Sequence, residues 1–330
     1  MKSFAVATIV LFSHVASAQT IKLGTLAPAG SPWFRILQDM GEDWKRATGG
    51  RVSFRIYPGG VAGDEPDMVS KMRIGQLHAA ALTSVGLSRI VPEIAALQLP
   101  LMYDSDEEFD YVRNRLAPLL EQKLADKGFI VLNWGDAGWV HLFSQKPVVH
   151  PKDLMGQKIF CWAGESTSFE IWKRAGFHPV EIAPTDIMTS LQTGLINAYS
   201  TTPLASLSFQ WFALAKNMTD LPWAPLAGAT IIDKRSWEQI PAELRPQLLA
   251  AARKSGDQLQ REVRRLNQEA VSVMQKYGLA VHPVPPDARA EWQGMRKIAW
   301  EQFQKGQVSP ELFHKIEQDV AEFRKSRGTK

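Results

Sequence analysis

The first third of the chain alternates between short apolar runs and longer amphipathic stretches. Residues 21–26, 52–57 and 79–83 have the length and apolar content of strands. Residues 32–48 carry apolar positions at helical spacing, and residues 64–75 begin with acids and end with bases, as a helix dipole favours. This β-α-β-α-β order predicts a mostly parallel sheet with flanking helices, and therefore an α/β fold.

A second set of elements begins near the middle of the chain. A helix over residues 106–127, interrupted near Pro118, and a strand over 129–133 complete most of the first set. Residues 134–139 read as a loop rich in glycine and tryptophan. We interpret this loop as a crossover, because a new strand at 140–144 follows it directly.

The clearest α/β unit lies between residues 152 and 203. Residues 158–162 form an apolar run that ends in a small, polar turn, which predicts a buried strand. The helix predicted at 187–194 ends at Gly194, since glycine can adopt the left-handed cap conformation. A second strand, 195–201, is closed by Pro203. Both strand ends should point at one crevice, where open α/β sheets bind ligands.

The C-terminal part predicts a third connection between the halves. An aromatic helix at 206–218 and a strand at 230–233, which returns to the first half, precede a helix over 241–277. At about 1.5 Å per residue that helix would exceed about 50 Å, which is longer than one lobe is wide. We predict a two-lobed fold of interleaved lobes with a long bracing helix. The predicted division assigns residues 1–18 to a signal peptide, 19–138 and 225–260 to the first lobe, and 139–224 and 261–330 to the second lobe, with helix 241–277 spanning both.

The N-terminus has the features of a secretion signal. Lys2 supplies a positive charge, residues 4–12 are apolar, and Ala16-Ser17-Ala18 is a small-residue cleavage site that would leave Gln19 as the mature start. The apolar run is shorter than the ~20 residues of a membrane span, and no later segment reaches that length. The sequence therefore predicts a secreted, periplasmic protein.

Composition argues against several kinds of chemistry. The net charge is +4 with a pI near 9.1, but the basic residues are scattered among acids, so nucleic acid is not an expected partner. Cys161 is the only cysteine, which excludes an intrachain disulfide and favours a packing role. The histidines form no short-spaced ligand set, and no nucleophile elbow or phosphate loop is present. We predict a binding protein rather than an enzyme, with no metal site and no cofactor.

The predicted cleft collects strand ends and helix starts from both lobes. The candidate ligand contacts in the first lobe are Ala27, Asp64, Glu65, Thr83, Trp134, Asp136 and Trp139. Those in the second lobe are Phe160, Trp162, Glu165, Ser166, Thr201 and Thr202. Trp162 is favoured among the tryptophans because it closes a strand directed at the cleft. The alternative to ligand contact is core packing for each tryptophan. For Thr83 and Thr202 the alternative is a purely strand-end role.

Several short motifs occur in a fixed order along nearly the whole chain after residue 19. They are Leu23-Gly24, Pro28, Ser31-Pro32, Tyr57-Pro58-Gly59-Gly60, Arg73-Ile74-Gly75, Leu99-Pro100-Leu101, Asp153-Leu154-Met155-Gly156-Gln157-Lys158-Ile159, Leu191-Gln192-Thr193-Gly194-Leu195-Ile196-Asn197-Ala198, Thr202-Pro203, Trp237 and Ile240-Pro241. This arrangement resembles the extracytoplasmic solute receptors of TRAP (tripartite ATP-independent periplasmic) transporters. The resemblance implies that two lobes close over a small solute and deliver it to a membrane permease.

The chain departs from that family at the ligand. In most TRAP receptors an arginine follows the Lys-Ile of the second-lobe strand and binds the substrate carboxylate, whereas here Phe160 stands there. The usual upstream arginine of a Gly-x-Arg stretch is also missing, because Gly138 is followed by Trp139 and Val140. Residues 199–203 stand in place of the Gln-Glu-Asn-Pro that many members carry.

These departures leave two alternatives for the ligand. A carboxylate would need another partner: Lys71 or Arg73, a helix N-terminus, or a cation held by Glu165 or Asp136. Otherwise the ligand is less anionic and more apolar or aromatic, and it sits against Phe160 and Trp162. We favour the second alternative.

Other roles and assemblies also stay open. The chain could feed a sensor kinase instead of a permease, or act as a periplasmic hydrolase through Asp64, Glu65 or Asp136. A structural or adhesive surface protein is disfavoured, because the chain has no repeats and no stalk-like segments. A monomer is expected, and a dimer stays open.

Overall fold

The computed structural model describes residues 18–328, which form two sheets flanked by helices. The predicted signal peptide of residues 1–18 lies, except for Ala18, outside the described residues. The strands are β1 (Gln19–Thr25), β2 (Val52–Tyr57), β3 (Ala79–Thr83), β4 (Phe129–Trp139), β5 (His141–Ser144), β6 (Lys158–Trp162), β7 (His178–Ile182), β8 (Ala198–Thr201), β9 (Asn217–Asp220), β10 (Pro225–Asp233) and β11 (Ala280–Pro283). The α-helices are α1 (Pro32–Ala47), α2 (Glu65–Arg73), α3 (Ser84–Ser88), α4 (Asp106–Asp126), α5 (Pro151–Leu154), α6 (Ser166–Arg174), α7 (Ile187–Thr193), α8 (Pro203–Ser208), α9 (Lys234–Gln239), α10 (Arg245–Lys276), α11 (Pro286–Gly306) and α12 (Pro310–Gly328). Short 3-10 helices lie at Pro92–Gln98, Pro184–Asp186 and Trp211–Ala213.

The first sheet has the strand order β2-β1-β3-β10-β4. Strand β1 runs parallel to β2 and β3, and β10 runs antiparallel to both β3 and β4. Four of its five strands therefore point in one direction, which confirms the mostly parallel sheet predicted from the sequence. Ile21, Leu23 and Trp44 are completely buried in the core that this sheet shares with α1 and α10.

The second sheet has the order β11-β9-β5-β8-β6-β7. Strand β5 is antiparallel to β8 and β9, while β6 is parallel to β7 and β8, and β9 is parallel to β11. The predicted strand at Lys158–Trp162 is confirmed as β6. The predicted helix stop is also confirmed, since Gly194 ends α7 with a left-handed φ of 70°. Strands β7 and β11 were not predicted from the sequence.

The chain crosses between the two sheets at two adjacent points. Strand β4 leads into β5 through Val140, and β9 returns to β10 through residues 221–224. These two segments pair with each other: the Val140 N–H donates to the carbonyl of Ala224, and the Trp223 N–H donates to the carbonyl of Val140, both at 2.8 Å. Each sheet is therefore the centre of one lobe, and the lobes meet at a narrow waist of two paired strands.

Helix α10 makes the third connection. Its 32 residues span about 48 Å at 1.5 Å per residue. Leu248 and Ala252, near its start, belong to the core of the first lobe, whereas Val263 and Met274 pack in the core of the second lobe. This placement confirms the brace predicted from the length of the apolar pattern.

Three local predictions are wrong. Two fail because distant strands pair with each other, and one fails because solvent can satisfy a backbone group. Residues 134–139 are not a loop: they continue β4, because they pair with β10 as far as Trp139 opposite Pro225. Helix α4 runs through Pro118 without interruption, and that proline is exposed, so water can replace the missing hydrogen bond.

The aromatic helix predicted at 206–218 is shorter and lies elsewhere. Helix α8 ends at Ser208, and Gln210 adopts a left-handed φ of 59° that stops it. Residues 217–220 then form β9, because they pair with β5 and β11.

The last helix differs from the predicted division, which placed residues 261–330 in the second lobe. Helix α12 packs against α4 of the first lobe, and Leu312 and Ile316 join the core there. Arg324 Nε lies 2.6 Å from Glu108 Oε1, and Arg115 Nε lies 2.9 Å from Asp319 Oδ1. We therefore propose a division in which α12 belongs to the first lobe. Within residues 18–328, no helix is both long and apolar enough to cross a membrane.

Gly256 explains how α10 approaches β4, and it provides a test of the brace. A Cβ atom at this position would lie 2.7 Å from the carbonyl oxygen of Trp134 and from the Cβ of Asn133. Gly256→Ala should lower the free energy of unfolding by about 1–3 kcal/mol, because backbone must move to admit the methyl group. Urea unfolding measures the change. The matched control is Gly294→Ala in α11, where no atom lies within 4 Å and the same substitution should raise stability by up to about 1 kcal/mol. Equal effects at the two sites would contradict this packing.

Candidate ligand-binding site

A cavity of about 340 Å³ lies between the lobes, beside the waist. The ends of β1, β3 and β4 and the strand β10 border it from the first lobe, and the ends of β6 and β8 border it from the second lobe. Eight of the thirteen predicted contacts line this interlobe cavity: Ala27, Glu65, Thr83, Asp136, Phe160, Trp162, Glu165 and Thr201.

The other five predicted contacts lie outside the lining, and four of them have partners that explain their positions. Trp134 and Trp139 donate their indole N–H groups to Glu121 and Asp106, on the side of β4 that packs against α4. Thr202 is completely buried and caps α8 through the N–H of Ala205. Ser166 is exposed at the start of α6. Asp64 lies at the rim of the cavity, where it contacts the opposite lobe.

Eight aromatic side chains line the cavity. Phe160 and Trp162 were predicted from the end of β6, and their ring centroids are 6.4 Å apart. Six further aromatic residues line the cavity but were not predicted: Trp33, Trp172, Phe209, Trp211, Trp223 and Phe303. Trp33 follows the end of β1 closely and could have been found by the strand-end argument. The others come from helices and from the waist, whose positions depend on pairing between distant segments.

The charged groups in the lining all have the same sign. Glu65, Asp136 and Glu165 are the charged lining residues, and no Lys, Arg or His is among the residues of the described chain that line the cavity. The two basic residues considered from the sequence lie elsewhere. Lys71 donates to the carbonyl of Ala62 at 2.6 Å, and Arg73 is exposed on α2.

Asp64 and Trp162 join the two lobes directly. The indole N–H of Trp162 donates to Asp64 Oδ2 at 2.6 Å, while Asp64 Oδ1 accepts the N–H of Glu65 at the start of α2. Burial raises the pKa of Asp64, and the hydrogen bond from Trp162 opposes that rise. Nearby, the guanidinium of Arg89 in the first lobe lies 3.5 Å from the carbonyl oxygen of Ala163 in the second lobe. Opening of the cleft would break both contacts.

Glu65 is buried and holds several elements together. Its carboxylate accepts the N–H of Thr83 at 2.9 Å, the hydroxyl of Thr83 at 2.8 Å and the N–H of Gly86 at 2.8 Å. These bonds fasten the first turn of α2 to the end of β3 and the start of α3. Burial raises the pKa of Glu65 to about 7, although the three donors oppose the shift. Both of its oxygens are therefore already engaged by the protein.

Asp136 is part of a network that links β4, α4 and α10. Its Oδ2 lies 2.8 Å from Nη2 of Arg264, and that guanidinium also binds Asp110 through two nitrogens at 2.7 and 2.8 Å. Its Oδ1 is buried and has no hydrogen-bond donor within the described residues.

Glu165 is the third carboxylate, at the N-terminus of α6. It is half-buried and accepts one hydrogen bond from the hydroxyl of Ser168, at 3.2 Å. Burial raises the pKa of its carboxyl group, and the nearby Arg89 opposes the rise. Its remaining acceptor sites have no donor from the described part of the chain.

Cys161 lines the cavity between Phe160 and Trp162 but is buried, and burial raises the pKa of its thiol to about 12. A thiol with so high a pKa is a poor nucleophile, which fits the packing role expected from the sequence. Among residues 18–328, no group of three or more His, Cys, Asp and Glu side chains could hold a metal ion.

The raised pKa of Glu65 predicts a pH-dependent stability. Because its pKa is about 7 in the folded chain against 4.5 in a free side chain, the folded state binds this proton more tightly. The stabilisation by protonation is complete below about pH 4.5 and is lost as the pH rises to about 7. As the pH rises over this range, the free energy of unfolding of the wild type should therefore fall by about 3 kcal/mol relative to that of Glu65→Gln. Urea unfolding of both proteins at pH 4.5 and 7.5 measures the difference. If the difference in unfolding free energy did not change with pH, or changed in the opposite direction, the raised pKa of Glu65 would be contradicted.

Known proteins share this sequence and this architecture. The sequence model described as "Bacterial extracellular solute-binding protein, family 7" matches residues 23–307. A solute-binding protein of Roseobacter denitrificans is 30% identical over 199 residues, which cover 59% of this chain and 60% of that protein. The C4-dicarboxylate-binding periplasmic protein DctP of Rhodobacter capsulatus is 24% identical over 289 residues, which cover 86% of this chain and 83% of that protein.

The fold is similar to that of solved receptor structures. A TRAP periplasmic solute-binding protein of Xanthobacter autotrophicus, with bound β-D-galacturonate, superimposes with a TM-score of 0.84. The superposition covers 91% of this chain and 99% of that protein, at 20% sequence identity. This likeness confirms the two-lobed α/β fold. Since the family match extends over most of the chain, the protein belongs to the bacterial extracellular solute-binding proteins of family 7, which confirms the resemblance to TRAP receptors.

Proposed function

We infer that this chain is a periplasmic receptor that captures a small organic solute between its lobes and delivers it to a TRAP-type membrane permease. The observation that carries this proposal is the position of the 340 Å³ cavity, which lies between two lobes joined at a narrow waist. Pockets of about this size suit small organic molecules. Membership of a family of solute-binding proteins supports the same role.

Closure of the lobes would be the working motion. The paired crossover strands, α10 and α11 connect the lobes within the described residues, so rotation would be concentrated at these segments. A solute that touches both lobes binds the closed form more tightly than the open form, and it thereby shifts the population towards closure. The bond from Trp162 to Asp64 would add to the stability of the closed form.

The geometry does not favour the alternative of a hydrolase. The three carboxylates suggested for catalysis are each engaged by protein donors: Asp64 by Trp162, Glu65 by Thr83 and Gly86, and Asp136 by Arg264. Asp64 and Glu65 have both oxygens engaged, and the remaining oxygen of Asp136 is buried, so no general base in this set is exposed to activate a water molecule. We propose that the chain binds its solute without converting it.

The relatives bind small acids: the Rhodobacter protein is named for a C4-dicarboxylate, and the Xanthobacter protein holds β-D-galacturonate. The lining described above has no basic side chain. We therefore retain a small organic solute as the proposed ligand and favour a less anionic compound over a simple organic acid. Secretion to the periplasm and a monomeric receptor are parts of the same proposal.

Trp162→Phe tests the bond between the lobes. The substitution keeps an aromatic wall but removes the N–H that binds Asp64, so the closed form loses one hydrogen bond. The apparent Kd for the natural solute should rise about 2- to 10-fold. The matched control is Trp134→Phe, which removes an indole bond to Glu121 outside the cavity and should leave the affinity unchanged. Titration calorimetry measures both. Equal affinities for the wild type and Trp162→Phe would contradict a role of this bond in closure.

The function itself can be tested with protein purified from the periplasm under native conditions. Native mass spectrometry should show a co-purifying solute, and small-angle X-ray scattering should show a smaller radius of gyration when that solute is returned to the stripped protein. Disruption of the permease should abolish uptake of the solute by cells. Consumption of the solute by the purified protein would instead support an enzyme, and binding without any compaction would contradict capture by closure.

A further inference from the structure

We propose that the solute carries a positively charged nitrogen on an aromatic or apolar body, and that the carboxylate of Glu165 binds this nitrogen. This inference rests on the proposed receptor function and specifies the chemical class of its ligand. It follows from the charges of the lining, from the acceptor atoms left free, and from the aromatic wall around them.

The charge balance of the cavity disfavours an anion. The lining contains three carboxylates and no basic side chain. An anionic solute would lose its hydration on closure and meet these carboxyl groups, of which Asp136 is paired with Arg264 and Glu65 has a pKa of about 7, without a basic side chain in the lining to bind it. Arg89, the nearest guanidinium to Glu165, is exposed outside the lining.

Three helix N-termini at or near the cavity, the usual substitute for a basic residue, are capped by side chains of the protein. At the rim, Asp64 Oδ1 accepts the N–H of Glu65 at 2.7 Å and caps α2. Thr83 and Thr202 cap α3 and α8 in the same way with their hydroxyl oxygens. The start of α6 carries Glu165 itself, and the dipole of that helix favours the ionised form of its carboxylate.

Glu165 is the lining carboxylate with acceptor sites to spare. Glu65 uses both oxygens for protein donors, whereas Glu165 accepts only from Ser168, at 3.2 Å. Its backbone N–H donates to the carbonyl of Trp162 at 2.9 Å, and both residues line the cavity. A cation between a carboxylate and aromatic ring faces gains both an ion pair and cation–π attraction.

Asp136, another lining carboxylate, is not available to the solute. Asp136 lines the cavity with a side chain only 3% exposed, and its Oδ1 has no donor within the described residues. Arg264 reaches the other oxygen, Oδ2. Because Oδ1 is inaccessible and Oδ2 is paired with Arg264, Glu165 is the lining carboxylate left to bind the nitrogen of the solute.

Three probes with the same aromatic ring and different charge test the assignment: 2-phenylethylammonium, 3-phenylpropanoate and 2-phenylethanol. Titration calorimetry with the full mature chain should show the tightest binding for the ammonium compound. Glu165→Gln should weaken that binding about 10- to 100-fold and leave the alcohol unchanged. The matched control is Glu170→Gln, on the same helix but outside the lining, which should change neither. Thermal unfolding verifies that each variant is folded.

Phe160→Arg provides the converse test. A guanidinium at this position should weaken binding of the ammonium compound and strengthen binding of 3-phenylpropanoate at least about tenfold. Tighter binding of the propanoate by the wild type, or an unchanged affinity of Glu165→Gln for the ammonium compound, would overturn the charge assignment and leave the receptor function intact. Failure of all three probes to bind the folded wild type would count against solute capture in this cavity, and therefore against both proposals.

Quenching of tryptophan fluorescence measures the sign of the potential without a ligand. Five of the eleven tryptophans line the cavity. Relative to their effects on free tryptophan, caesium ions should quench this emission more strongly than iodide ions, and Glu165→Gln should narrow this difference while quenching by neutral acrylamide stays the same. Stronger relative quenching by iodide would overturn the inference.

Discussion

The pairing of two crossover segments at the waist determines how the rest of the molecule is arranged. Val140 exchanges two backbone hydrogen bonds with Trp223 and Ala224, so the chain leaves the first sheet and returns to it at adjacent points. Each lobe then has its own sheet and core, and the space between them cannot be filled by either. Helix α10 packs on both cores and limits how far the lobes can separate. A cleft with a restricted hinge is the consequence.

Features set by local chemistry could be predicted from the sequence. The strand at Lys158–Trp162 and the stop at Gly194 depend on an apolar run and on the left-handed conformation of glycine. The extension of β4 to Trp139 depends on β10, about ninety residues away, and no local pattern records it. The same limit applies to the site. Strand ends identified Phe160 and Trp162, but Trp211 and Trp223 reach the cavity only through tertiary pairing.

The polar residues at the cleft have structural roles that their residue types alone do not indicate. Glu65 and Asp64 look like a catalytic or ligand-binding pair in the sequence, yet the first fastens α2 to β3 and the second caps α2 and contacts the opposite lobe. Asp136 is tied to α10 through Arg264. What distinguishes Glu165 is that its acceptor sites are not used up by the protein. Specificity in such a cavity depends on the groups that remain free after the fold has satisfied its own hydrogen bonds.

A crystal structure of the protein with the solute that co-purifies from the periplasm tests the central claim most directly. The account predicts closed lobes with the solute enclosed between them, its body against Phe160 and Trp162 and its polar end within hydrogen-bond distance of Glu165. A solute bound on the outer surface, or lobes that stay apart while it is bound, would contradict capture between the lobes.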